Sequence, residues 1–406
     1  MELCVVGLQN IAVNTQSGDG VMSTRISGVD VLEVPNESTG FHTFVRISTE
    51  CGTTGLGQSG GWGFQRAVGE IIREMTPLLL GQDPFRIEHL WHLLYRSRPF
   101  RGNLISSAVA AIDNALWDIK GKKLDVPVWQ LIGGNYRDKV RLHVLIDGNT
   151  PDEIAASVKK ALHDGYTAVK FDPLVSGYAD MSMQTLVDSA MAMGHAARDA
   201  GGKDLDIIFE LHRKLDPFKG VVVANALAQL QPLFIEDPIQ IDSIESQATI
   251  CGRINAPVAT GERLNSIWEY RELLSHGVPI HVRPDLGMSG GISMCLKIAA
   301  IAESHHASVV PHNFLGPGIT SPTLHLSLAI PNLLTMEYYA KDEDPNSSCA
   351  LVKTSVKRQG GYMSAPDTPG LGIELDTESS AFARGVQIPM TSSGMLRSDG
   401  SVMRSI

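Results

Sequence analysis

Five short apolar runs in the middle of the chain each end in an ionisable residue, at nearly constant spacing. The end residues are Glu210, Glu236, Glu262, Asp285 and His312, which lie 23 to 27 residues apart. That step matches one strand, one helix and their two loops in a parallel barrel. Because a barrel gathers the ends of its strands at one face, we expect these five side chains to meet in one pocket.

The three glutamates carry the strongest chemical signal. A single carboxylate after an apolar strand usually caps a helix or faces solvent. Three carboxylates that converge repel one another, and their burial is costly unless a cation is present. Since oxygen ligands suit a hard divalent ion, we expect Glu210, Glu236 and Glu262 to bind Mg²⁺.

Length and charge narrow the possible functions. The chain has 406 residues, enough for a barrel and a second domain. The net charge of −10 argues against nucleic-acid binding, but it leaves small anionic substrates open because a bound cation can dominate a pocket. No apolar run reaches about 18 residues, which argues against a membrane span. Nor does the N-terminus resemble a signal peptide.

The cysteines indicate a compartment. Five cysteines are scattered along the chain without a CxxC motif, so we expect reduced thiols and a cytoplasmic protein.

The N-terminal part of the chain predicts an α+β domain over residues 23–139, with residues 1–22 only weakly patterned. Two strands are expected at 26–34 and 43–49, and three helices at 64–80, 86–95 and 105–122. The run Gly55–Gly60 matches GxGxxG. A dinucleotide fingerprint needs a βαβ unit, whereas an antiparallel hairpin precedes this run, so we interpret it as a glycine-rich return strand and loop.

The remainder predicts an α/β fold, a barrel over residues 140–340. Eight strands alternate with seven helices, a pattern that favours a barrel over an open sheet. Strands are expected at 140–146, 168–171, 206–209, 232–235, 257–260, 279–282, 308–310 and 333–336. Helices are expected at 151–163, 183–197, 221–230, 243–253, 267–276, 292–305 and 322–329. A loop-like segment, 341–390, should pack back on the first domain, and 391–406 is weakly patterned.

Further ionisable residues join the predicted rim. The second strand offers Lys170 and Asp172, the third adds His212, and the eighth ends near Glu337. Such a set suits proton abstraction beside a carboxylate, because a divalent cation stabilises the resulting enediolate and a base of moderate pKa then suffices. We expect His312 to be that base and Asp285 to orient its other ring nitrogen.

Several segments together resemble the enolase superfamily, mandelate racemase branch, and most closely its galactonate dehydratase-like acid-sugar dehydratases. The resemblance runs from about Ser23 to Asp376. It implies a (β/α)₇β barrel under an N-terminal α+β capping domain. The segments are EHLW at 88–91, AAIDNALWDIKGK at 110–122, PVWQLIGG at 127–134, PLFIEDP at 232–238, ATGER at 259–263 and PHNFLGP at 311–317.

The resemblance also implies roles for the rim residues. It makes the three glutamates Mg²⁺ ligands, the pair of His312 and Asp285 the base, and Glu337 a hydrogen-bond partner of the substrate carboxylate. His212 becomes the general acid that expels the β-hydroxyl. Gln58, Trp62 and residues 96–101 are expected in or near the cap regions that select the substrate. The implied partner is a small acid sugar, and relatives of this kind are commonly homo-oligomers.

Two departures bear on the reaction. Racemases of this branch carry KxK at the second strand, whereas this chain has Lys170 followed by Phe171 and Asp172, so the second base is missing. The first metal ligand, commonly aspartate in the nearest groups, is Glu210. We therefore expect an Mg²⁺-dependent dehydratase of an aldonate or aldarate that forms a 2-keto-3-deoxy acid. The alternatives are an acid-sugar epimerase or cycloisomerase and a catalytically silent relative.

Overall fold

The computed structural model describes residues 24–36, 40–277, 280–379 and 395–403, so the weakly patterned residues 1–22 lie outside it. An antiparallel sheet and a group of helices come first, where the sequence predicts them. The strands run in the order β1-β2-β3. The elements are β1 (Ile26–Asn36), β2 (Gly40–Thr49), β3 (Thr54–Gln58), α1 (Gln65–Leu79), α2 (Ile87–Tyr95), α3 (Asn103–Leu124) and α4 (Val128–Leu131).

The glycine-rich run is a return strand, as the sequence analysis expects. β3 pairs antiparallel with β2 and lies directly on α3. A Cβ atom on Gly55 would stand 2.0 Å from the Ala115 carbonyl oxygen, and one on Gly57 would stand 2.0 Å from that of Ala111. The glycines therefore permit contact between two backbones rather than the approach of a phosphate.

The second part of the chain is the predicted parallel barrel. Seven strands pair along the sheet in the order β10-β4-β5-β6-β7-β8-β9, all parallel. The strands are β4 (Lys139–Leu145), β5 (Ala168–Phe171), β6 (Asp206–Glu210), β7 (Phe234–Glu236), β8 (Val258–Thr260), β9 (Ile280–Val282) and β10 (Met336–Tyr338). The helices are α5 (Pro151–His163), α6 (Met183–Gly201), α7 (Pro217–Ala228), α8 (Ile244–Cys251), α9 (Ile267–Ser275), α10 (Gly291–Ser304) and α11 (Pro317–Ala329).

The barrel helices begin where polar residues cap them. Thr150, Ser182, Asp216, Ser243 and Ser266 each accept a hydrogen bond from a backbone N–H in the first turn of the following helix. Such caps satisfy donors that the helix cannot pair internally. Within the described residues, none of the helices combines the length and apolarity needed to cross a bilayer.

The seventh predicted strand, 308–310, is reduced to bridges at one residue. Val309 bridges Val282 on one side and Leu333 on the other, and so closes the gap between β9 and β10. The eighth strand begins later than expected, at Met336 instead of 333. A periodic pattern cannot fix such ends, because short apolar runs look alike whether or not they form a ladder.

The segment after residue 340 contains short strands, so its prediction as wholly loop-like is wrong. These are β11 (Val352–Thr354), β12 (Arg358–Gln359), β13 (Tyr362–Ser364) and β14 (Ile373–Leu375). β13 pairs with β4, and the Leu371 backbone N–H donates to Asp118 of α3 at 2.8 Å. Strands of two or three residues are too short to show alternation in sequence.

A buried carboxylate joins α3 to the barrel. Asp113 accepts hydrogen bonds from the Ser293 backbone N–H at 3.0 Å and from the Ser293 hydroxyl at 2.6 Å. The neighbouring Asn114 donates to the Leu286 carbonyl oxygen at 3.1 Å. Because Leu286 directly follows Asp285, α3 supports the loop that carries this predicted site residue.

We expect Gly57→Ala to lower the free energy of unfolding by about 3 kcal/mol, because the added methyl group would overlap the α3 backbone. Gly28→Ala in β1 is the matched control, since its nearest neighbour would be the Ser48 Cβ at 3.8 Å. Urea denaturation of both variants tests this. Equal, small effects would contradict close packing of β3 on α3.

Stability should also depend on pH through Asp113, since burial raises the pKa of this carboxyl from 3.8 to about 7. Between those values the unfolded chain binds fewer protons than the folded one, so stability falls as pH rises. Asp113→Asn removes this dependence. The stability of the wild type minus that of the variant should therefore decrease from about pH 5 to about pH 8 in urea denaturation. A difference that is constant with pH would show that Asp113 does not titrate in this range.

Candidate active site

The three predicted glutamates converge at one end of the barrel. Glu210 and Glu236 are the last residues of β6 and β7 and stand side by side in register. Each lies two residues after a side chain of the barrel interior, Ile208 or Phe234, and therefore points inward. Glu262 follows β8 through Gly261, whose φ of +118° favours glycine. Carboxylate oxygens of the three residues lie within 4.8 Å of one another, and all three side chains are buried.

Two buried cations hold the second glutamate. Lys170 Nζ lies 3.1 Å from Glu236 Oε1, 3.1 Å from Glu210 Oε2 and 2.6 Å from Glu337 Oε1. Arg283, which is fully buried, places Nε 2.7 Å from Glu236 Oε1 and a terminal nitrogen 2.6 Å from Glu337 Oε2. No role was predicted for Arg283 from the sequence, although an arginine directly after a short apolar strand is a signal of a charged partner nearby.

The other oxygen of Glu236 is the clearest indication of a metal site. Glu236 Oε2 is buried and has no hydrogen-bond partner among the residues that the structure describes. Burial raises the pKa of Glu236, and the nearby Glu210 carboxylate adds to this, which outweighs the opposing effect of Arg283 and Lys170. An unpaired oxygen beside two further carboxylates is the donor set that a hard divalent cation requires, so the residues fit such an ion.

The third glutamate connects two arginines to the predicted base. Glu262 Oε1 accepts from Arg213 at 2.7 Å and from Arg263 Nε at 3.2 Å. Its other oxygen, Oε2, lies 3.5 Å from His312 Nε2. Arg213 also pairs with Asp237, so the loops after β6, β7 and β8 are tied together by charge. Neither Arg213 nor Asp237 was assigned a role from sequence.

His312 and Asp285 form the predicted pair. His312 Nδ1 donates to Asp285 Oδ2 at 2.6 Å, which leaves Nε2 without a proton when the ring is neutral. Asp285 is itself held, because its Oδ1 accepts from the Gly287 backbone N–H at 2.6 Å. Burial lowers the pKa of His312, but Glu262 and Asp285 raise it more, so the net shift is upward.

A second pair of this kind involves His212. His212 Nδ1 lies 2.8 Å from Asp172 Oδ2, and Lys214 Nζ contacts the same oxygen. Burial lowers the pKa of His212, whereas Glu210 and Asp172 raise it, so the net shift is upward. His212 and Arg213 both have positive φ, 49° and 61°, a conformation that costs free energy and is concentrated at functional sites.

Glu337 lies at the centre of the cluster but is already fully engaged. Its Oε1 meets Lys170, and its Oε2 meets Arg283 and the Asn313 backbone N–H at 3.1 Å. Burial raises the pKa of Glu337, but the two cations outweigh this and hold it well below its ordinary value. An ionised carboxylate only accepts hydrogen bonds. Its predicted contact with a substrate carboxylate therefore stays a prediction.

The Phe314 ring lies between the predicted base and Trp62. The Phe314 ring packs edge-on against His312 at 5.0 Å and against Trp62 at 5.9 Å between ring centroids. The Arg263 guanidinium stacks on Trp62 at 4.8 Å. Trp62 thus lies beside the site, as the sequence analysis expects of this cap region.

The other two predicted cap regions differ in their surroundings. Gln58 is buried and donates to the Leu315 carbonyl oxygen at 2.8 Å, so it braces the loop after His312. Residues 96–101 connect α2 to α3. At the start of α3, Asn103 accepts a hydrogen bond from Asn265 at 2.6 Å, which sets this connection beside the loop that follows Glu262.

Two family models match the chain. The mandelate racemase / muconate lactonizing enzyme N-terminal domain matches residues 33–133, and the enolase C-terminal domain-like model matches residues 153–379. D-galactonate dehydratase of Pectobacterium atrosepticum is 34% identical over 342 residues, which are 82% of this chain and 89% of the relative. D-galactonate dehydratase of Ralstonia pickettii is 34% identical over 367 residues, 88% of this chain and 95% of the relative.

Solved structures give the same picture. A member of the enolase superfamily from Salmonella Typhimurium superposes with a TM-score of 0.84 at 27% identity, covering 90% of this chain and 99% of that one. An enolase from Agrobacterium radiobacter, solved with bound sodium and L-malate, superposes with a TM-score of 0.85 at 29% identity, covering 94% and 100%. These two structures therefore have the same barrel and capping domain as this chain.

Binding of a divalent cation by the three glutamates can be tested without a substrate. Mg²⁺ should raise the midpoint of thermal unfolding of the wild type, since a ligand of the folded state stabilises it. In Glu236→Gln the unpaired oxygen loses its charge, so this shift should largely disappear. Glu245→Gln on the exposed face of α8 is the control and should keep it. An undiminished shift in Glu236→Gln would contradict the assignment of this residue as a ligand.

Proposed function

Because this chain belongs to the mandelate racemase / muconate lactonizing enzyme family of the enolase superfamily and is a hydro-lyase, we propose that it dehydrates an acid sugar. The substrate class is an aldonate or aldarate, and the product is a 2-keto-3-deoxy acid. One observation carries the proposal: a histidine–aspartate pair stands at each end of the carboxylate cluster. His312 lies beside Glu262, and the His212 backbone N–H donates to Glu210 at 2.9 Å.

The proposal includes Mg²⁺ held by Glu210, Glu236 and Glu262. When bound, the ion would supply positive charge that stabilises the oxygens of an enediolate. The unpaired Oε2 atom of Glu236 supports this assignment. Glu210 has one methylene more than the aspartate common in the nearest groups. Its Oε2 contacts Lys170, and its Oε1 accepts from the His212 backbone, so both oxygens are restrained.

His312 is assigned as the base. Its Nε2 takes the proton from the carbon beside the substrate carboxylate, while Asp285 keeps the other nitrogen protonated and stabilises the imidazolium that forms. The electron pair of the broken C–H bond moves into the enediolate. Phe314 packs against this histidine and Trp62 packs against Phe314, so the base has an apolar neighbour on one side, where its electrostatic contacts are less screened.

His212 is assigned as the acid. The enediolate electron pair forms the C2–C3 double bond as the C3–O bond breaks, and the departing hydroxyl takes a proton from His212 Nε2 to leave as water. The enol then tautomerises to the 2-keto-3-deoxy acid, as its hydroxyl loses a proton and C3 gains one. Up to the loss of water His312 gains one proton and His212 loses one, and both return to their starting states before the next turnover.

The second strand favours dehydration over racemisation. A racemase needs a base on each face of the carbon, and Asp172 stands where the second lysine of such enzymes would be. Its Oδ2 faces His212 and Lys214, so this carboxylate is already engaged by the acid. The names of the D-galactonate dehydratase relatives agree with this direction. An epimerase would instead invert one stereocentre of the acid, and a cycloisomerase would rearrange its bonds, in both cases without loss of water.

We expect substitution of the two histidines to separate the two steps. His312→Asn should lose both product formation and exchange of the α-proton with D₂O, because no base remains. His212→Asn should lose the product by about 10²-fold or more yet still exchange the proton. A panel of aldonic and aldaric acids, followed by NMR in D₂O, provides the measurement.

His163→Asn on the exposed face of α5 is the matched control and should behave as the wild type does. Exchange that survives in His312→Asn would refute the base assignment. Full dehydration by His212→Asn would refute the acid assignment. Exchange without dehydration by the wild type across the whole panel would favour an epimerase.

A further inference from the structure

The surroundings of His212 assign a role to Asp172 and Lys214, neither of which has a step of its own in the mechanism above. We propose that Asp172 is a positioning residue for His212, and that Lys214 fixes the same carboxylate oxygen, so that the three side chains act as one unit in the departure of the β-hydroxyl. This inference rests on the proposed function, because it concerns the acid step of that reaction.

Asp172 is well placed to orient the ring. Its Oδ1 accepts from the Leu174 backbone N–H at 2.8 Å, which locks the carboxylate to the turn after β5. Its Oδ2 is then directed at His212 Nδ1, 2.8 Å away. A carboxylate only accepts hydrogen bonds, so Nδ1 must carry the proton of this contact and Nε2 is the nitrogen available to the substrate.

Lys214 restrains the carboxylate from the opposite direction. Its Nζ contacts Asp172 Oδ2, and it also lies 5.4 Å from the ring centre of Tyr178. Tyr178 belongs to the loop that follows Asp172, so the lysine joins two points of that loop to the strand end that carries His212. Because Asp172 and Lys214 are only about one-fifth exposed, the ion pair is shielded more than a surface pair.

The arrangement parallels the base at the other end of the cluster. His312 is oriented by Asp285, and His212 by Asp172, each through Nδ1. The difference lies in the third partner. Both carboxylates accept from the backbone N–H two residues later, but Asp172 also contacts the Lys214 cation. The alternative to a positioning role is that Asp172 serves only as the structural counter-ion of Lys214, and the experiment below distinguishes the two roles.

The leaving group distinguishes the two roles. In the acid step the C3–O bond breaks, its electron pair goes to the oxygen, and His212 supplies one proton to form water. If C3 carries fluorine instead, the C3–F bond breaks and fluoride leaves with the electron pair, so that no proton is needed. A residue that acts through His212 should therefore matter for the hydroxyl substrate and become dispensable for the fluoro analogue.

The experiment compares D-galactonate with 3-deoxy-3-fluoro-D-galactonate, or the same pair built on whichever acid sugar the wild type dehydrates. Asp172→Asn keeps the size of the side chain but removes the charged acceptor of the His212 Nδ1 proton, so the ring is no longer held by a charge-assisted hydrogen bond. We expect a loss in kcat/KM of about 10²-fold for the hydroxyl substrate. The fluoro analogue, followed by fluoride release, should lose no more than about 3-fold.

A double variant tests whether Asp172 acts through His212. Asp172→Asn in the His212→Asn background should cost nothing further on the hydroxyl substrate, because the group to be positioned is already gone. Asp188→Asn on the exposed face of α6 is the matched control for the substitution and should match the wild type on both substrates. Thermal unfolding of each variant checks that the fold is retained.

Each remaining outcome decides the question. Equal losses on both leaving groups would overturn the inference and make Asp172 a structural residue, and so would an additive double variant. An Asp172→Asn variant that unfolds is replaced by Lys214→Met, which should show the same selective loss on the hydroxyl substrate. If the wild type dehydrates none of the acid sugars, the proposed function itself is refuted. If the wild type dehydrates one of them but the variants lose activity equally on the hydroxyl substrate and the fluoro analogue, only the role of Asp172 is refuted.

Discussion

The balance of buried charge governs this structure. Four glutamates, at positions 210, 236, 262 and 337, lie together at the end of a barrel where water is scarce, and each of them contacts a buried or half-buried cation. An unpaired carboxylate in such a place would cost several kcal/mol, so the strand ends are stable only because Lys170, Arg283 and Arg213 lie among them. The exception is Glu236 Oε2, which is buried and has no hydrogen-bond partner among the described residues, and this is why we propose a cation there.

That the candidate site residues lie together was predictable from the sequence, and the reason is geometric. Strand ends of a parallel barrel recur at a fixed spacing, so Glu210, Glu236, Glu262, Asp285 and His312 identify themselves by position. The cations that neutralise the carboxylates cannot be identified by position in this way. Arg283 directly follows β9, and Arg213 follows His212 in a left-handed turn, so neither has a periodic signature. Their roles depend on distances between strands that only the folded chain supplies.

The same distinction holds for the fold. Amphipathic helices such as α5 and α9 appear within one residue of their expected bounds, because their periodic patterns and their capping residues agree. Short elements do not. The seventh strand contracts to Val309, and the last part of the chain forms strands of two or three residues against β4 and α3. Pairing of this kind is decided by which backbone groups are left exposed nearby, and this is a property of the assembled barrel rather than of a local sequence.

The direct contact between β3 and α3 has a consequence for how such an enzyme can change its substrate. Two glycines fix the distance between these elements, and the same helix supports the loop that follows Asp285. Movement of α3 would therefore disturb the loop that holds Asp285. The run before Trp62 is tied to the same loop, because the Gly60 backbone N–H donates to the Gly287 carbonyl oxygen at 2.8 Å. Residues 96–101, between α2 and α3, do not take part in that contact, so directed evolution of substrate range should accumulate insertions and substitutions there while it leaves α3 untouched.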